Sequence, residues 1–331
     1  MFPARLILLF KKSVWFQYEL IGRKRYCSDP DPNLMRYLKT ITLLSLLSVY
    51  IPTIAQDEEF SRQPTISLFT GLVNYQGDLN PNSFTFGRSK FAIGATIRKP
   101  LNRWFTLRAG INYGHLEAAD HYNRTYLKDR NLSFYTTLSE AHAGLELSLF
   151  NFNKTRFTTY LFGGVAVFHF NPWTYDNAGQ KVYLKPLSTE GQGLTQYPTQ
   201  KPYNLNQFAL PFGIGIKYAV SENINVGFEF SQRKTFTDYL DDVSSIYVDH
   251  QTLLDARGPK AVELAYRALP GPYSYASYPP HGEQRGTPTE MDWYYFAGLN
   301  IEIKLNSIGN LFSSVGSRDK GYSQRCPRRV L

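Results

Sequence analysis

Six stretches of this chain alternate apolar and polar residues with a period of two, a repeat that points to half-buried strands and away from a helical fold. Phe91, Ile93, Ala95 and Ile97 alternate with Ala92, Gly94, Thr96 and Arg98. Phe105, Leu107, Ala109, Ile111 and Tyr113 alternate with Thr106, Arg108, Gly110, Asn112 and Gly114. Ala141, Ala143, Leu145, Leu147 and Leu149 stand against Glu140, His142, Gly144, Glu146 and Ser148. Further on, Phe208, Leu210, Phe212, Ile214, Ile216 and Tyr218 oppose Gln207, Gly213, Gly215 and Lys217. Ile224, Val226, Phe228 and Phe230 oppose Asn225, Gly227, Glu229 and Ser231, and Ala297, Leu299, Ile301 and Ile303 oppose Gly298, Asn300, Glu302 and Lys304. Weaker patterns over residues 65–75 and 157–170 bring the expected strands to eight.

Alternation alone also fits a soluble sandwich, whose apolar faces pack on each other. The polar faces argue for something narrower. They are rich in Gly and carry both signs of charge: Arg98, Arg108, Lys217, Arg233 and Lys304 against Glu140, Glu146, Glu229 and Glu302. Small residues make room and opposite charges pair, as the inside of a small barrel requires. Aromatic residues make up 15% of the chain. They gather near strand ends, at Trp104, Phe105, Tyr113, Phe168, Phe170, Trp173, Tyr218 and Trp293–Tyr295, as interfacial girdles do.

The region upstream of the strands agrees. Met35 opens a segment with Arg36 and Lys39, an apolar run over residues 41–54, and small residues Thr53 and Ala55 before Gln56. That is the pattern of a secretory signal peptide over residues 35–55. The run is shorter than the roughly 20 apolar residues a transmembrane helix needs, and no Cys follows it to carry a lipid anchor. Residues 1–34 fit no part of such a signal and read as a spurious upstream extension. The expected fold is therefore all-β: an eight-stranded antiparallel outer-membrane barrel over residues 56–305, followed by a basic tail at 306–331. The connections at residues 99–103, 151–156 and 221–223 are short, whereas 171–206 and 235–292 are long. Short turns face the periplasm in such barrels, so both termini are expected there. Side chains fill a barrel of this size, and no open pore is expected.

The formal charge of +9 suggests nucleic acid until it is localised. Residues 56–305 contain 23 basic and 23 acidic residues, so the excess lies wholly in the two ends. No nucleic-acid partner is expected. Cys27 and Cys326 also lie in the ends, which excludes a disulfide framework or a Cys-based zinc site in the body.

Two constellations could carry chemistry. "DYLDDVSSIYVD" places Asp238, Asp241, Asp242 and Asp249 at the exit of the seventh strand. Carboxylates suit Ca²⁺, but the spacing lacks the D-x-[DN]-x-[DN]-G pattern and supplies no turn glycine. A polar loop with hydrogen-bonded Asp side chains at turns is the favoured reading. His142, Glu140 and Glu146 share one face, where charge pairing with the inward Arg and Lys residues is favoured over acid–base work. A lipid hydrolase would need a Ser–His pair facing lipid, and Ser139 and His142 have opposite parity. No catalytic, metal or cofactor residues are assigned, and the chain is expected not to be an enzyme.

Three phrases carry a family resemblance: "GLVNYQGDL" (residues 71–79), "TDYLDDVSSIYVD" (237–249) and "RGTPTEMDWYYFAGLNI" (285–301). In this order they resemble the Bacteroidota outer-membrane barrel family that includes PorG. The resemblance spans most of residues 64–305. It implies a structural subunit of the type IX protein secretion system that docks a periplasmic ring lipoprotein and its associated components. The docking surface would then be the turns at 99–103, 151–156 and 221–223, with the tail. A surface barrel binding a ligand, glycan or ion through its long loops is the alternative, and a lipid-acting enzyme the third reading.

Overall fold

The computed structural model describes residues 63–306, apart from 83–84, 123–127, 129, 153–154 and 268–276. The expected upstream extension, the signal peptide, both cysteines and the tail beyond Asn306 lie outside the described residues.

Ten strands form one antiparallel sheet. They are β1 (Thr65–Gln76), β2 (Lys90–Pro100), β3 (Phe105–Ala119), β4 (Ser133–Ser148), β5 (Phe157–His169), β6 (Trp173–Tyr175), β7 (Lys181–Tyr183), β8 (Asn206–Ala219), β9 (Ile224–Thr235) and β10 (Trp293–Lys304). Eight of them are the expected barrel. Each pairs with its neighbour in sequence, β5 with β8 across the intervening loop, and β10 returns to β1 and closes the wall. β6 and β7 are an additional hairpin, joined to the end of β4 by the pairing of Tyr135 with Trp173.

The strands are staggered. From Thr65, the cross-strand neighbours run through Arg98, Arg108, Gly144 and Gly164. They continue through Pro211, opposite Gly164 in the β5–β8 register, then Arg233 and Tyr294. The circuit returns to β1 at Tyr75, ten residues beyond its start. Closure with stagger tilts the strands and sets a narrow interior.

Parity then sorts the side chains as the alternation predicts. Phe91 (62% exposed), Ile111 (63%) and Phe208 (65%) point outward, as do Val165 and Leu299. Arg98, Arg108, Glu146, Glu229 and Arg233 are buried inside. A continuous apolar belt of this extent is unsuited to water. A closed barrel satisfies its backbone hydrogen bonds within the wall, which lets it span a bilayer. The structure is a membrane-spanning barrel of the outer-membrane type.

At one end the strands are joined by short turns, between Pro100 and Phe105, Ser148 and Phe157, and Ala219 and Ile224. At the other end the long connections fold into a cap. It contains the β6–β7 hairpin and the helices α1 (His250–Arg257) and α2 (Pro259–Ala265). Leu184, Leu240, Val243 and Leu264 of the cap share one apolar core with Val73, Phe134, Phe168 and Phe296 of the barrel. Val248, Leu253, Ala261 and Ala265 form a second, smaller core beneath the helices.

Candidate functional site

The interior contains two charge clusters. Nearer the short turns, Glu229 accepts two hydrogen bonds from Arg108 (3.1 Å each), one from Arg98 (3.1 Å) and one from the Tyr160 hydroxyl (2.8 Å). Arg98 also faces Glu146 (3.3 Å) and Glu302 (3.7 Å), and Lys217 pairs with both of those carboxylates. Three cations thus stand against three carboxylates. Nearer the cap, Glu140 accepts a forked pair of bonds from Arg233 (3.0 and 3.1 Å). It also accepts from Tyr294 (2.8 Å) and Asn112 (2.7 Å), with His142 at 3.3 Å. Aromatic faces cover the cations: Phe162 lies over Arg108 at 3.8 Å and Phe296 over Arg233 at 4.4 Å. The expected pairing of the inward charges is observed, and His142 belongs to it. The described interior is a polar core filled by these two clusters and their aromatic neighbours.

The acidic stretch lies in the cap and differs from the loop the sequence suggests. Asp238, Asp241 and Asp242 are buried, and Asp249 is exposed. Asp241 accepts from the Tyr75 hydroxyl (2.6 Å) and from the backbone of Leu79 (3.2 Å) and Val243 (3.0 Å). Asp292 lies 2.9 Å from the same Tyr75 hydroxyl and accepts from Leu240 N–H (2.8 Å). Asp242, at a left-handed φ of 68°, accepts from Thr189 (2.6 Å) and Tyr203 (2.7 Å). Asp249 caps α1 by accepting from Thr252 N–H (2.8 Å). Arg285 donates to Glu190 (2.8 Å) and to the Asp242 carbonyl (2.6 Å), while Arg130 clamps Asp120 (2.7 and 2.8 Å). Turn hydrogen bonding at Asp241 and Asp249 follows the sequence reading, but the stretch is a core element of the cap. Tyr239, Leu240, Val243, Tyr247 and Val248 bury it by interleaving with the carboxylates.

Burial dominates the electrostatics there. It pushes Asp238 up to about 9, with Asp241 and Asp78 adding repulsion. Burial and Asp78 push Asp241 up to about 8. Asp242 rises only to about 6, because Arg285, Thr189 and Tyr203 oppose its desolvation. Asp292 lies well above the carboxylate range through burial and the neighbouring Asp241 and Asp238. Among the described residues no three His, Cys, Asp or Glu side chains are gathered in a metal-binding arrangement.

The three stretches that carry the family resemblance meet in this cap. Tyr75 and Leu79 come from the first, Asp241 from the second and Asp292 from the third. Asp78 accepts from Thr287 N–H at 3.0 Å, tying the first stretch to the third once more.

At the short-turn end a polar recess of about 430 Å³ opens, lined by Arg103, Lys217, Glu222, Glu302 and Lys304 among others. All three of the short turns named from sequence contribute to its rim, through Asn102, Asn151 and Ser221. Asn102 accepts from the Trp104 and Phe105 N–H groups (2.8 Å each), and Ser221 accepts from Ile224 N–H (3.2 Å), so two of these turns are internally fixed. On the wall, Ser139 is exposed and His142 buried, on opposite faces as their parity requires.

Solved structures similar to this chain are small outer-membrane barrels. The Neisserial surface protein A is 8% identical, with 73% of this chain and 97% of that chain aligned and a TM-score of 0.36. Ail of Yersinia pestis is 8% identical over 73% and 98% of the two chains, with a TM-score of 0.34. OprG of Pseudomonas aeruginosa is 9% identical over 75% and 100%, with a TM-score of 0.32. No curated protein matches the chain. A family model described as a domain of unknown function matches residues 41–254, from ahead of the barrel through its first seven wall strands and into α1. The chain belongs to that family, DUF6089.

Proposed function

We propose that this protein is a structural barrel of the bacterial outer membrane, resembling PorG, that serves the type IX secretion system. In this reading both termini and the short turns face the periplasm and the cap faces outward. The turns around Asn102, Asn151 and Ser221 dock a periplasmic ring lipoprotein and its associated components. The observation that carries the reading is the convergence of the three resembling stretches into one hydrogen-bonded cluster around Tyr75, Asp241 and Asp292. Segments distant in sequence act there as a single unit, which gives the three resembling phrases a common structural reason in this chain. The packed interior favours a structural role over transport, and the fixed, polar rim at the short-turn end offers a preformed surface for a partner.

The test is a mild-detergent capture of the C-terminally tagged chain from outer membranes, with partners identified by mass spectrometry. Recovery of periplasmic ring components, and loss of protein export on deletion, are the expected results. Recovery of the barrel alone, with export intact after deletion, overturns the reading and moves attention to ligand binding by the cap.

A further inference from the structure

The outer wall carries a polar row that neither the packed interior nor the short-turn rim uses. Ser139 on β4 pairs directly with His169 on β5, and His169 pairs directly with Asn206 on β8. All three are exposed on the outward face. His169 Nδ1 lies 2.7 Å from Asn206 Oδ1. An amide oxygen only accepts, so Nδ1 donates in this contact, which in a neutral ring leaves Nε2 as the acceptor. β8 and β4 flank β5 on opposite sides, so Asn206 and Ser139 stand on opposite sides of His169 along the row.

Directly opposed residues in antiparallel strands hold their Cβ atoms about 4.5–5.5 Å apart, so rotation of the serine side chain governs whether Oγ meets Nε2. Of the two links, the His169–Asn206 one is formed as a hydrogen bond in the structure. Catalytic contacts of this kind often tighten only when substrate arrives.

Depth is the second observation. Two residues along each strand toward the short turns stand Ala141, Val167 and Phe208 on the same outward face, with Val167 and Phe208 prominently exposed. Two residues the other way on β4 stands Thr137, hydrogen-bonded to His115 at 3.2 Å. The row therefore lies where the apolar belt ends, the level at which acyl chains join their headgroups through ester bonds. Below it an open groove of about 760 Å³ crosses the wall, with Ala95 and Ala141 leaving room between Leu68, Ile111 and Val167. That volume falls in the range of small-molecule sites, about 300–1,000 Å³.

We propose that Ser139, His169 and Asn206 form an esterase site that hydrolyses an O-acyl ester of a membrane lipid, entered from the bilayer edge. A serine hydroxyl needs an adjacent base to act as a nucleophile. Ser139 Oγ attacks the ester carbonyl carbon while its proton passes to His169 Nε2. The tetrahedral intermediate expels the alkoxide of the lipid, which takes that proton and leaves as an alcohol, with the acyl group on Ser139. Water then attacks the acyl-serine and gives its proton to Nε2. Release of the fatty acid returns that proton to Ser139 Oγ. Asn206 is a positioning residue that fixes the tautomer of the ring. Tyr113, paired with Ser139 from the β3 side, supplies a phenolic donor on the same row for the developing oxyanion. The site rests on the wall alone and is independent of the docking role proposed above.

The test uses the full chain, purified, refolded and placed in two sets of vesicles with labelled acyl chains. One set contains phosphatidylethanolamine and phosphatidylglycerol, the other lipid A. Labelled fatty acid released from one set or both is the expected result, and the set that responds identifies the source of the ester. Ser139→Ala brings release to background, and His169→Ala lowers it 10²- to 10⁴-fold. Asn206→Ala lowers kcat with KM little changed, and Asn206→Asp restores part of the loss. A fluorophosphonate forms an adduct on Ser139 of the wild type and not in His169→Ala. Because these side chains face outward, heat-modifiable migration on gels should verify that each variant still folds. The proposal is overturned if folded wild type releases no fatty acid from either set and takes no phosphonate, or if release survives Ser139→Ala.

Discussion

Tyr75 has one phenolic proton and two carboxylates to satisfy, Asp241 at 2.6 Å and Asp292 at 2.9 Å. A proton can serve one of them at a time, and burial favours a proton on the other carboxyl. Asp238, buried nearby with the Ser244 side chain beside its carboxyl, is pushed toward neutrality in the same way. The folded pKa values of about 9 for Asp238 and about 8 for Asp241 are raised above the unfolded carboxylate value near 3.9. Their stabilising effect is therefore complete below that unfolded value and is lost as pH rises through the folded ones. Asp242 adds a smaller loss through about 6, with Arg285, Arg130, Glu190 and Asp78 as the other charged groups around the cluster. The cap should loosen progressively from about pH 4, where the unfolded carboxyls ionise, to about pH 9, where the folded ones have done so. Hydrogen exchange at the Leu240 and Val243 amides, corrected for the intrinsic rate, should show falling protection over that interval, and Asp238→Asn should reduce the slope. Protection that stays level with pH would rule out neutral carboxyls as the basis of cap packing.

The barrel interior obeys the opposite logic, because its charges are paired. Glu229 holds both Arg98 and Arg108. Its removal leaves two buried guanidinium groups with too few acceptors, a loss of about 3–5 kcal/mol. Glu229→Ala should lower stability by that amount in urea unfolding from lipid bilayers. A change below about 1 kcal/mol would mean that water enters the lower barrel and screens these charges.

At the level of elements, parity was legible and register was not. Period-2 alternation assigned Arg98, Arg108, Glu140, Glu146, Glu229 and Glu302 to one face and the apolar residues to the other, and each lies where it was assigned. The ten-residue stagger that pairs particular carboxylates with particular arginines depends on cross-strand hydrogen bonding, which a single sequence does not display. His169 illustrates the cost. It is the last residue of β5, within the weak pattern of residues 157–170, and only the β4–β5 register brings it opposite Ser139. The glycines of the polar face were read as space-makers, and β8 gives the reason. A Cβ at Gly215 would sit 2.2 Å from the Tyr160 ring, whose hydroxyl donates to Glu229. Gly215→Ala should displace that ring and cost about 1–3 kcal/mol as overpacking. The same unfolding assay reads it, and a neutral result would show that Tyr160 has an alternative rotamer with room to occupy. In the long loop the apolar residues inside "DYLDDVSSIYVD" were a signal of burial that the four carboxylates overshadowed.

Across the whole molecule, closure, stagger and filling belong together. An eight-stranded wall leaves an interior about wide enough for its own side chains, and here those side chains are two interlocked charge clusters with aromatic faces over the cations. At the long-loop end the cap shares the barrel's apolar core, so an ion leaving the bore would have to part Leu240 and Val243 from Phe134 and Phe168. At the short-turn end Lys217 and Glu302, paired at 3.6 Å, line the recess. An ion entering there meets a balanced set of three cations and three carboxylates, and crossing it would require breaking several charge-assisted bonds at once. The reconstituted protein should therefore give no steady conductance in planar bilayers at either polarity, and Glu229→Ala should add only brief, irregular openings as the lower cluster loses its anchor. A stable conducting level in the wild type would mean that the interior clusters rearrange in the bilayer, and a transport role would then displace the structural one.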